Sequence, residues 1–162
     1  MFERTLDQEG ATRSLGEALG RALARGDVVL LEGGLGAGKT VFVQGLAKGL
    51  GLGGAVKSPT FTLVHEHHAQ AWPGARCDLA HLDLYRLPEG ATLVDLGLDD
   101  FLEFGVVAAE WGARLAAAYP EHVLVTLDDL PGRAESRHVR IEGHGARGVA
   151  VVAALVAAPE GA

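Results

Sequence analysis

Apolar residues recur along the chain at two spacings, one typical of buried strands and the other of helices. Continuous apolar runs at residues 27–32 and Gly105–Glu110 predict two buried strands. Helical spacing predicts a first helix, ended by Gly26, and a second helix over residues 40–50, ended by Gly51. The apolar face of the first helix consists of Leu15, Leu19, Ala22 and Leu23. This order of strands and helices predicts an α/β fold.

The middle of the chain predicts two more strands beside that sheet. Strand patterns occupy residues 61–67 and 79–85, and Pro73 and Gly74 break the loop between them. We expect these strands to form a hairpin, which adds antiparallel pairing to a mostly parallel sheet. Residues 88–104 predict short helices, with Pro88 at a helix start.

The last third of the chain predicts one further helix, two strands and an apolar segment. An alanine-rich helix should follow the strand Gly105–Glu110 and stop before Pro120. Strands at residues 122–127 and 137–142 should flank a turn at Pro131 and Gly132. Residues 148–158 are apolar but too few to span a bilayer, so they predict a packed core element. No shift in composition suggests a linker, and we expect one domain over residues 1–162.

Composition narrows the classes of protein to which the chain could belong. It has 162 residues, about the length of one domain, and a net charge of −7. That charge argues against tight direct binding to nucleic acid. The single cysteine, Cys77, excludes an internal disulfide, and residues 1–26 do not resemble a signal peptide. We therefore expect a cytoplasmic protein that does not contact membranes.

A phosphate-binding loop lies between the strand at residues 27–32 and the second helix. Residues 33–40 read Gly-Gly-Leu-Gly-Ala-Gly-Lys-Thr, a complete GxxxxGK[ST] motif. Its glycines let backbone N–H groups point at a phosphate chain, Lys39 neutralises the outer phosphates, and Thr40 supplies a hydroxyl to Mg²⁺. A glycine-rich turn without a ligand is the alternative, but the strand and helix on either side favour a nucleoside triphosphate site.

Such a loop needs a carboxylate near Mg²⁺, and two candidates lie at the ends of predicted strands. Glu110 ends a fully apolar run, and Asp83 lies in the strand at residues 79–85. Strands paired beside the loop's own strand present their C-terminal ends to the ligand crevice. Either acid could reach the metal, and Asp83 could instead orient the attacking water. The alternative for each is a carboxylate in contact only with solvent.

Taken together, the motifs resemble those of the TsaE (YjeE) family, the ATPase component of bacterial tRNA threonylcarbamoyladenosine biosynthesis. The resemblance spans residues 12–133 and depends on the order and spacing of five segments. These are residues 35–40 (LGAGKT), 56–64 (VKSPTFTLV), 81–87 (HLDLYRL), 96–101 (LGLDDF) and 110–111 (EW). The resemblance implies a single P-loop NTPase-like α/β domain with a mixed, mostly parallel sheet, an antiparallel hairpin and flanking helices.

The same resemblance implies roles for individual residues. It assigns nucleotide binding to Thr12, Gly36, Ala37, Gly38, Lys39, Thr40, Val41 and Arg133. It assigns the metal to Thr40, Glu110 and Asp83, and catalysis to Lys39, Asp83 and Glu110. Ser58 and Thr60 match a switch-like loop that senses the γ-phosphate. Trp111 is either an aromatic residue that faces a partner or the nucleotide, or part of the core.

The activity implied by the resemblance is hydrolysis of ATP with Mg²⁺, slow in the isolated protein and dependent on partners. Those partners are TsaB and TsaD type proteins, which transfer threonylcarbamoyl to adenosine in tRNA. Binding or hydrolysis of ATP would reset their complex between rounds. Contact with tRNA would come only through these partners, which agrees with the acidic composition.

Three other interpretations remain open at this point. A small-molecule P-loop kinase would usually carry a mobile lid with several arginines, and Arg133, Arg137 and Arg140 are the only local cluster. A non-catalytic, ATP-dependent regulatory module would use the same carboxylates for binding alone. A zinc site among the histidines of the predicted hairpin lacks a compact ligand pair, so we expect these histidines to form a hairpin surface.

Overall fold

The computed structural model describes residues 1–53, 63–87 and 96–158 of the chain. Its strands are β1 (Phe2–Leu6), β2 (Val28–Gly33), β3 (Val64–His67), β4 (Asp78–Asp83), β5 (Gly105–Glu110), β6 (His122–Leu130) and β7 (Arg133–His144). Its α-helices are α1 (Glu9–Ala22), α2 (Lys39–Gly49), α3 (Leu98–Leu102) and α4 (Gly145–Ala157). Short 3₁₀ helices occupy Ala69–Ala71, Leu84–Arg86 and Gly112–Leu115.

The seven strands form one mixed sheet in the order β1-β7-β6-β2-β5-β4-β3. The four central strands are parallel, whereas β3 pairs antiparallel with β4 at one edge, and β7 and β1 pair antiparallel at the other. This arrangement confirms the α/β fold with a mixed sheet, parallel in its middle, and the antiparallel hairpin of β3 and β4. Because β6, β2, β5 and β4 run the same way, their C-terminal ends meet at the edge where the phosphate loop leaves β2.

Alternate residues of the central strands face two separate cores. One face of β2 carries Val29 and Leu31, which pack in the larger core with α1, α2 and α4. The other face carries Val28 and Leu30, which pack in the smaller core with α3 and the 3₁₀ helix Gly112–Leu115. Because both faces are covered, the central strands have the continuous apolar sequences expected of a parallel sheet.

Helices α1 and α2 cross so closely that their backbones touch at glycines. A Cβ atom added to Gly16 or Gly20 of α1 would overlap carbonyl oxygens of α2, at Phe42 and Leu46 respectively. The reverse holds for Gly45 and Gly49 of α2, which face the backbone of α1. This contact places the N-terminal half of α1 beside the start of α2, which is the end of the phosphate loop.

Several predicted elements differ from those observed. Strand β1 was not predicted, and α1 ends at Ala22, with Gly26 in the turn that follows. The prediction of an alanine-rich helix before Pro120 is wrong, because only the 3₁₀ helix Gly112–Leu115 forms there. Strand β4 ends at Asp83 instead of residue 85. The turn between β6 and β7 and the core-packed helix α4 are confirmed.

Three further expectations concern residues outside the described ranges, membrane contact and a metal site among the histidines. Pro88 lies outside the described residues, as do residues 61 and 62 of the predicted third strand. Across residues 1–53, 63–87 and 96–158, no helix is long and apolar enough to cross a membrane. The same ranges contain no group of three or more histidine, cysteine, aspartate or glutamate side chains arranged to hold a metal ion.

Candidate functional site

The phosphate loop wraps from the end of β2 to the start of α2 in a conformation that depends on glycine. Gly36 and Gly38 have φ angles of 76° and 100°, in the left-handed region that side chains disfavour. Gly38 is the N-cap of α2, so the first N–H groups of that helix open onto the loop. The helix dipole and these N–H groups together make the loop suited to an anion.

Lys39, the first residue of α2, is 4% exposed and folds back over the loop. Its Nζ donates hydrogen bonds to the carbonyl oxygens of Gly33 at 2.7 Å and Gly34 at 2.8 Å. Burial lowers the pKa of Lys39, although nearby carboxylates, with Glu110 foremost, act in the opposite direction. The ammonium group is therefore held at the loop by backbone oxygens that a phosphate oxygen could replace.

Glu110 and Thr40 come together from β5 and α2. The Thr40 hydroxyl donates to Oε1 of Glu110 at 2.7 Å, and the same oxygen lies 2.8 Å from Nε2 of His81. Burial alone would raise the pKa of Glu110, but the hydrogen bond and charge of His81, the Thr40 hydroxyl and Lys39 lower it overall. Glu110 is therefore a buried carboxylate stabilised in its charged form.

Asp83 stands beside Glu110 in the sheet. The parallel pairing of β4 with β5 sets Asp83 opposite Glu110, as expected from two strands that end at the same edge. Its side chain is half-buried, and Oδ1 accepts a hydrogen bond from the backbone N–H of Tyr85 at 3.1 Å. This bond caps the 3₁₀ helix Leu84–Arg86 and turns the chain away after the carboxylate.

Two cavities border the phosphate loop. The first, of about 350 Å³, is bordered by the start of α1, the loop and the start of β7. The second, of about 450 Å³, is lined by Leu35, Gly36, Ala37, Gly38, Lys39, Thr40, Val41, Asp83, Tyr85, Glu110 and Trp111. Gly36, Ala37, Gly38 and Val41 border both. The loop therefore forms a floor that continues from one cavity into the other.

Trp111 adopts a backbone conformation that non-glycine residues rarely adopt. Its φ of 58° is the only positive value among the non-glycine residues that the structure describes. Its ring centre lies 4.2 Å from Nζ of Lys39 and 5.1 Å from the ring centre of Tyr85. Such strain, of order 1–3 kcal/mol, is typical of functional sites. Trp111 thus borders the second cavity and covers the loop lysine.

The structure places Thr12 at the first cavity, whereas Arg133 is not among the residues that line it. Thr12 is buried on α1, and a side chain at Gly38 would meet its methyl group. Arg133 is exposed at the first position of β7, next to residues Ala134 and Glu135 that border the cavity. Ser58 and Thr60 lie outside the described residues.

Arg137 and His81 contact the site but received no role from the sequence. Nε of Arg137 donates to the Ala37 carbonyl at 3.0 Å, and Nη2 donates to the Gly36 carbonyl at 3.2 Å. The sequence pattern did point to both residues, because each lies on the same face of its strand as core residues. A polar side chain at such a position needs a hydrogen-bond partner. Identifying that partner required the three-dimensional packing.

Comparisons with known proteins give the family to which the chain is similar. The family model described as "Threonylcarbamoyl adenosine biosynthesis protein TsaE" matches residues 6–139. The tRNA threonylcarbamoyladenosine biosynthesis protein TsaE of Streptomyces coelicolor is 40% identical over 139 residues, which cover 83% of this chain and 92% of that protein. The protein of the same name from Treponema pallidum is 42% identical over 114 residues, covering 70% of this chain and 80% of that protein.

A solved structure shows the same fold. The crystal structure of Bacillus subtilis YdiB matches with a TM-score of 0.76 and 26% sequence identity, over 96% of this chain and 93% of that one. The family model covers most of the chain, and the relatives named above share about 40% of its residues over most of its length. This chain therefore belongs to the TsaE family of tRNA threonylcarbamoyladenosine biosynthesis proteins.

Proposed function

We propose that this chain is a Mg²⁺-dependent ATPase that supports tRNA threonylcarbamoyladenosine modification. One observation carries the proposal. Lys39 and Thr40 from α2, Asp83 from β4 and Glu110 from β5 line a single cavity against the phosphate loop. Two carboxylates, a hydroxyl and an ammonium group beside a helix N-terminus are the parts that phosphoryl transfer to water requires.

The two cavities suggest how ATP would lie across the loop. Its phosphate chain would follow the backbone N–H groups of residues 36–41, which border both cavities at Gly36, Ala37, Gly38 and Val41. The terminal phosphate would face the cavity that holds Glu110 and Asp83. The nucleoside would then occupy the other cavity, between Thr12 on α1 and the start of β7, the strand whose first residue is Arg133.

The residues present fit a Mg²⁺ ion. The Thr40 hydroxyl and the Glu110 carboxylate, 2.7 Å apart, are oxygen donors of the kind that Mg²⁺ prefers. They cannot complete a coordination sphere, and the described residues offer no cluster of three or more ligating side chains. Nucleotide phosphates and water would supply the rest, as is usual for Mg²⁺ at phosphate loops. Bound there, the ion would neutralise charge on the phosphates.

Hydrolysis requires two further actions from the protein. Nζ of Lys39 would exchange the Gly33 and Gly34 carbonyl oxygens for oxygens of the outer phosphates. Asp83, half-buried beside Glu110, would orient the attacking water toward the terminal phosphate and accept its proton. Trp111 and Tyr85 border the same cavity and would limit the access of bulk water.

The partners we propose are TsaB and TsaD type proteins, and tRNA would be contacted only through them. The family's shared role in threonylcarbamoyladenosine biosynthesis supports this assignment. The net charge of −7 also disfavours a direct tRNA surface. In this scheme Ser58 and Thr60, which lie outside the described residues, relay the state of the bound nucleotide, and that signal resets the TsaB–TsaD complex.

Phosphate release from ATP by the purified protein, alone and with a TsaB–TsaD pair, tests the proposal. We expect slow release that rises with the pair. Lys39→Ala should reduce it about 100-fold or more, because one electrostatic contact to the transferred group is lost. Lys48→Ala is the matched control, since Lys48 pairs with Glu17 on the surface at the far end of α2 and should leave the rate unchanged.

Other outcomes would contradict specific parts of the proposal. Phosphate that appeared on an added metabolite, with no response to the pair, would favour a small-molecule kinase. Tight ATP binding with no phosphate release, even in the presence of the pair, would favour a regulatory module that senses ATP without hydrolysing it.

A further inference from the structure

His81 is a polar residue in a place where the fold favours an apolar one. It lies on β4 between Ala80 and Leu82 and is 0% exposed. It shares one face of the strand with Leu79, which belongs to the larger core, and with Asp83, which borders the second cavity. Its position links the apolar interior of the sheet to the candidate site.

Among the described residues the imidazole makes one hydrogen bond, and that bond is to the candidate metal ligand. Nε2 of His81 lies 2.8 Å from Oε1 of Glu110, which also accepts the Thr40 hydroxyl at 2.7 Å. A carboxylate has no proton to give, so Nε2 of His81 is the donor. Both donors therefore meet the same carboxylate oxygen, and within the described residues neither reaches Oε2.

The other ring nitrogen of His81, Nδ1, is buried and is not hydrogen-bonded to any described residue. An unpaired buried polar atom destabilises a folded protein, whereas an aliphatic side chain at the same place would not. Packing alone therefore gives no reason for a histidine here, and its hydrogen bond to the buried Glu110 carboxylate does.

We propose that His81 is a positioning residue that fixes the Glu110 carboxylate through its Nε2–H. The bond fixes the Glu110 carboxylate at the edge of the cavity that it lines, where the Mg²⁺–nucleotide complex would bind. This inference rests on the proposed function, because it assumes that Glu110 acts toward the metal. Partners of this kind orient metal ligands in other proteins, and their removal typically weakens metal affinity or activity by 10- to 100-fold.

Two substitutions separate the hydrogen bond from the packing of the side chain. His81→Leu fills the site with an apolar group and removes the donor. His81→Gln keeps an N–H group at about the same reach. For the wild type and both variants we would measure the thermal midpoint, ATP affinity as a function of Mg²⁺ concentration, and kcat and KM for phosphate release.

We expect His81→Leu to have a thermal midpoint close to that of the wild type, because removal of the unpaired Nδ1 offsets the loss of the hydrogen bond to Glu110. It should need about 10-fold more Mg²⁺ for half-maximal ATP binding, and its kcat should fall by a similar factor. ATP affinity without Mg²⁺ should stay unchanged, and His81→Gln should recover most of the loss.

Three results would overturn the inference. The first is a wild-type Mg²⁺ dependence in His81→Leu, and the second is an equal loss in both variants. The third is a lower thermal midpoint in His81→Leu, with ATP affinity reduced equally with and without Mg²⁺, which would indicate a purely structural residue. If the wild type itself binds ATP without any dependence on Mg²⁺, the proposed function fails and not the role of His81 alone.

Discussion

Arg137 joins the long strand β7 to the phosphate loop through its guanidinium group. Besides its bonds to the Ala37 and Gly36 carbonyl oxygens, Nη1 donates to the carbonyl oxygens of Ala134 at 2.6 Å and Ser136 at 2.8 Å. Asp129 lies 3.2 Å from Nε and supplies the opposite charge. The planar fork of arginine can satisfy this set of acceptors at once, whereas a lysine could not.

Arg137→Met should weaken ATP binding and leave the fold nearly unchanged. The substitution keeps most of the aliphatic stem but removes both bonds to the loop, which would then be less well ordered before the phosphates arrive. We expect a loss of about 1–2 kcal/mol in binding, or roughly 10-fold in Kd. Isothermal titration with a non-hydrolysable ATP analogue measures it.

The matched control for Arg137 is Arg140→Met. Arg140 lies on the same strand and pairs with Glu3 of β1 at 2.9 Å, away from the loop. Its removal should not change Kd. If the two variants bound the analogue equally well, the contacts of Arg137 with the loop would have no role in binding.

At the scale of elements, the crossing of α1 and α2 depends on the absence of side chains at four positions. Gly16 and Gly20 are four residues apart on one helix, and Gly45 and Gly49 are four apart on the other. Each pair therefore lies on one face of its helix, and the backbones meet there. The crossing brings Thr12 to the start of α2, so the shape of the first cavity depends on it.

Gly45→Ala should destabilise the protein even though alanine favours helix. The new methyl group would overlap the carbonyl oxygen of Arg13 on α1, and neither backbone can move without separating the helices. We expect a loss of about 2–3 kcal/mol in the free energy of unfolding, in the range measured for overpacked cores. Urea denaturation followed by circular dichroism would measure it.

Gly10→Ala is the control for this crossing. Gly10 lies in the first turn of α1 with nothing within 4 Å of an added Cβ, so helix propensity alone should make the variant equal or up to about 1 kcal/mol more stable. Equal effects of the two substitutions would contradict the proposed crossing contact.

The elements that could be predicted from the sequence are those whose pattern reports burial directly. Strands β2 and β5 are apolar throughout because both faces are covered, and the glycines around α2 mark its ends. Strand β1 was missed because Glu3, Arg4 and Thr5 are exposed along it, so no alternation appears. Its place in the sheet comes from antiparallel pairing with β7, a contact between distant parts of the chain.

The alanine-rich segment after β5 shows the opposite error. Its composition favours a helix, but Trp111 takes a left-handed conformation and Gly112 packs against Leu30. The backbone N–H of Ala113 is bound by the Glu32 carboxylate at 2.6 Å. Tertiary contacts thus fix the first turn in a 3₁₀ form, which local propensity could not indicate.

The residues of the candidate site also fall into two groups, those that the sequence predicts and those that only the structure identifies. Lys39 and Thr40 follow from a motif, and Glu110 and Asp83 follow from their places at strand ends. His81 and Arg137 act through contacts with residues far away in the sequence, at separations of 29 and 100. Predicting those contacts requires the register of β4 on β5 and the path of β7, and neither is encoded locally.

At the scale of the whole molecule, two neighbouring histidines at the edge of the sheet respond to pH with opposite signs. Burial, together with the charge of the histidines around it, lowers the pKa of His67 to about 4. The hydrogen bond that His68 donates to the Asp78 carboxylate raises the pKa of His68. Burial also lowers the pKa of His122, whose ring stacks on His144 at 4.4 Å.

These shifts predict that the protein loses stability as the pH falls below about 6.5. Between about pH 6.5 and 4 the unfolded chain binds a proton at residue 67 that the folded chain excludes, so protonation favours unfolding. For His67 the loss by pH 5 should be about 1–2 kcal/mol. His68 acts in the opposite direction, because its stabilising contribution is complete below about pH 6.5 and is lost as the pH rises through its raised pKa.

Urea denaturation of the wild type, His67→Gln and His68→Gln between pH 7.5 and 5 would test this assignment. The range stays above the ordinary pKa of carboxylates, so the histidines determine the slope. We expect stability to depend less on pH in His67→Gln than in the wild type, because the excluded proton is gone. In His68→Gln the loss toward pH 5 should be slightly steeper, since a stabilising protonation is removed from an exposed side chain. Identical slopes in all three proteins would show that the acid sensitivity of the fold arises elsewhere.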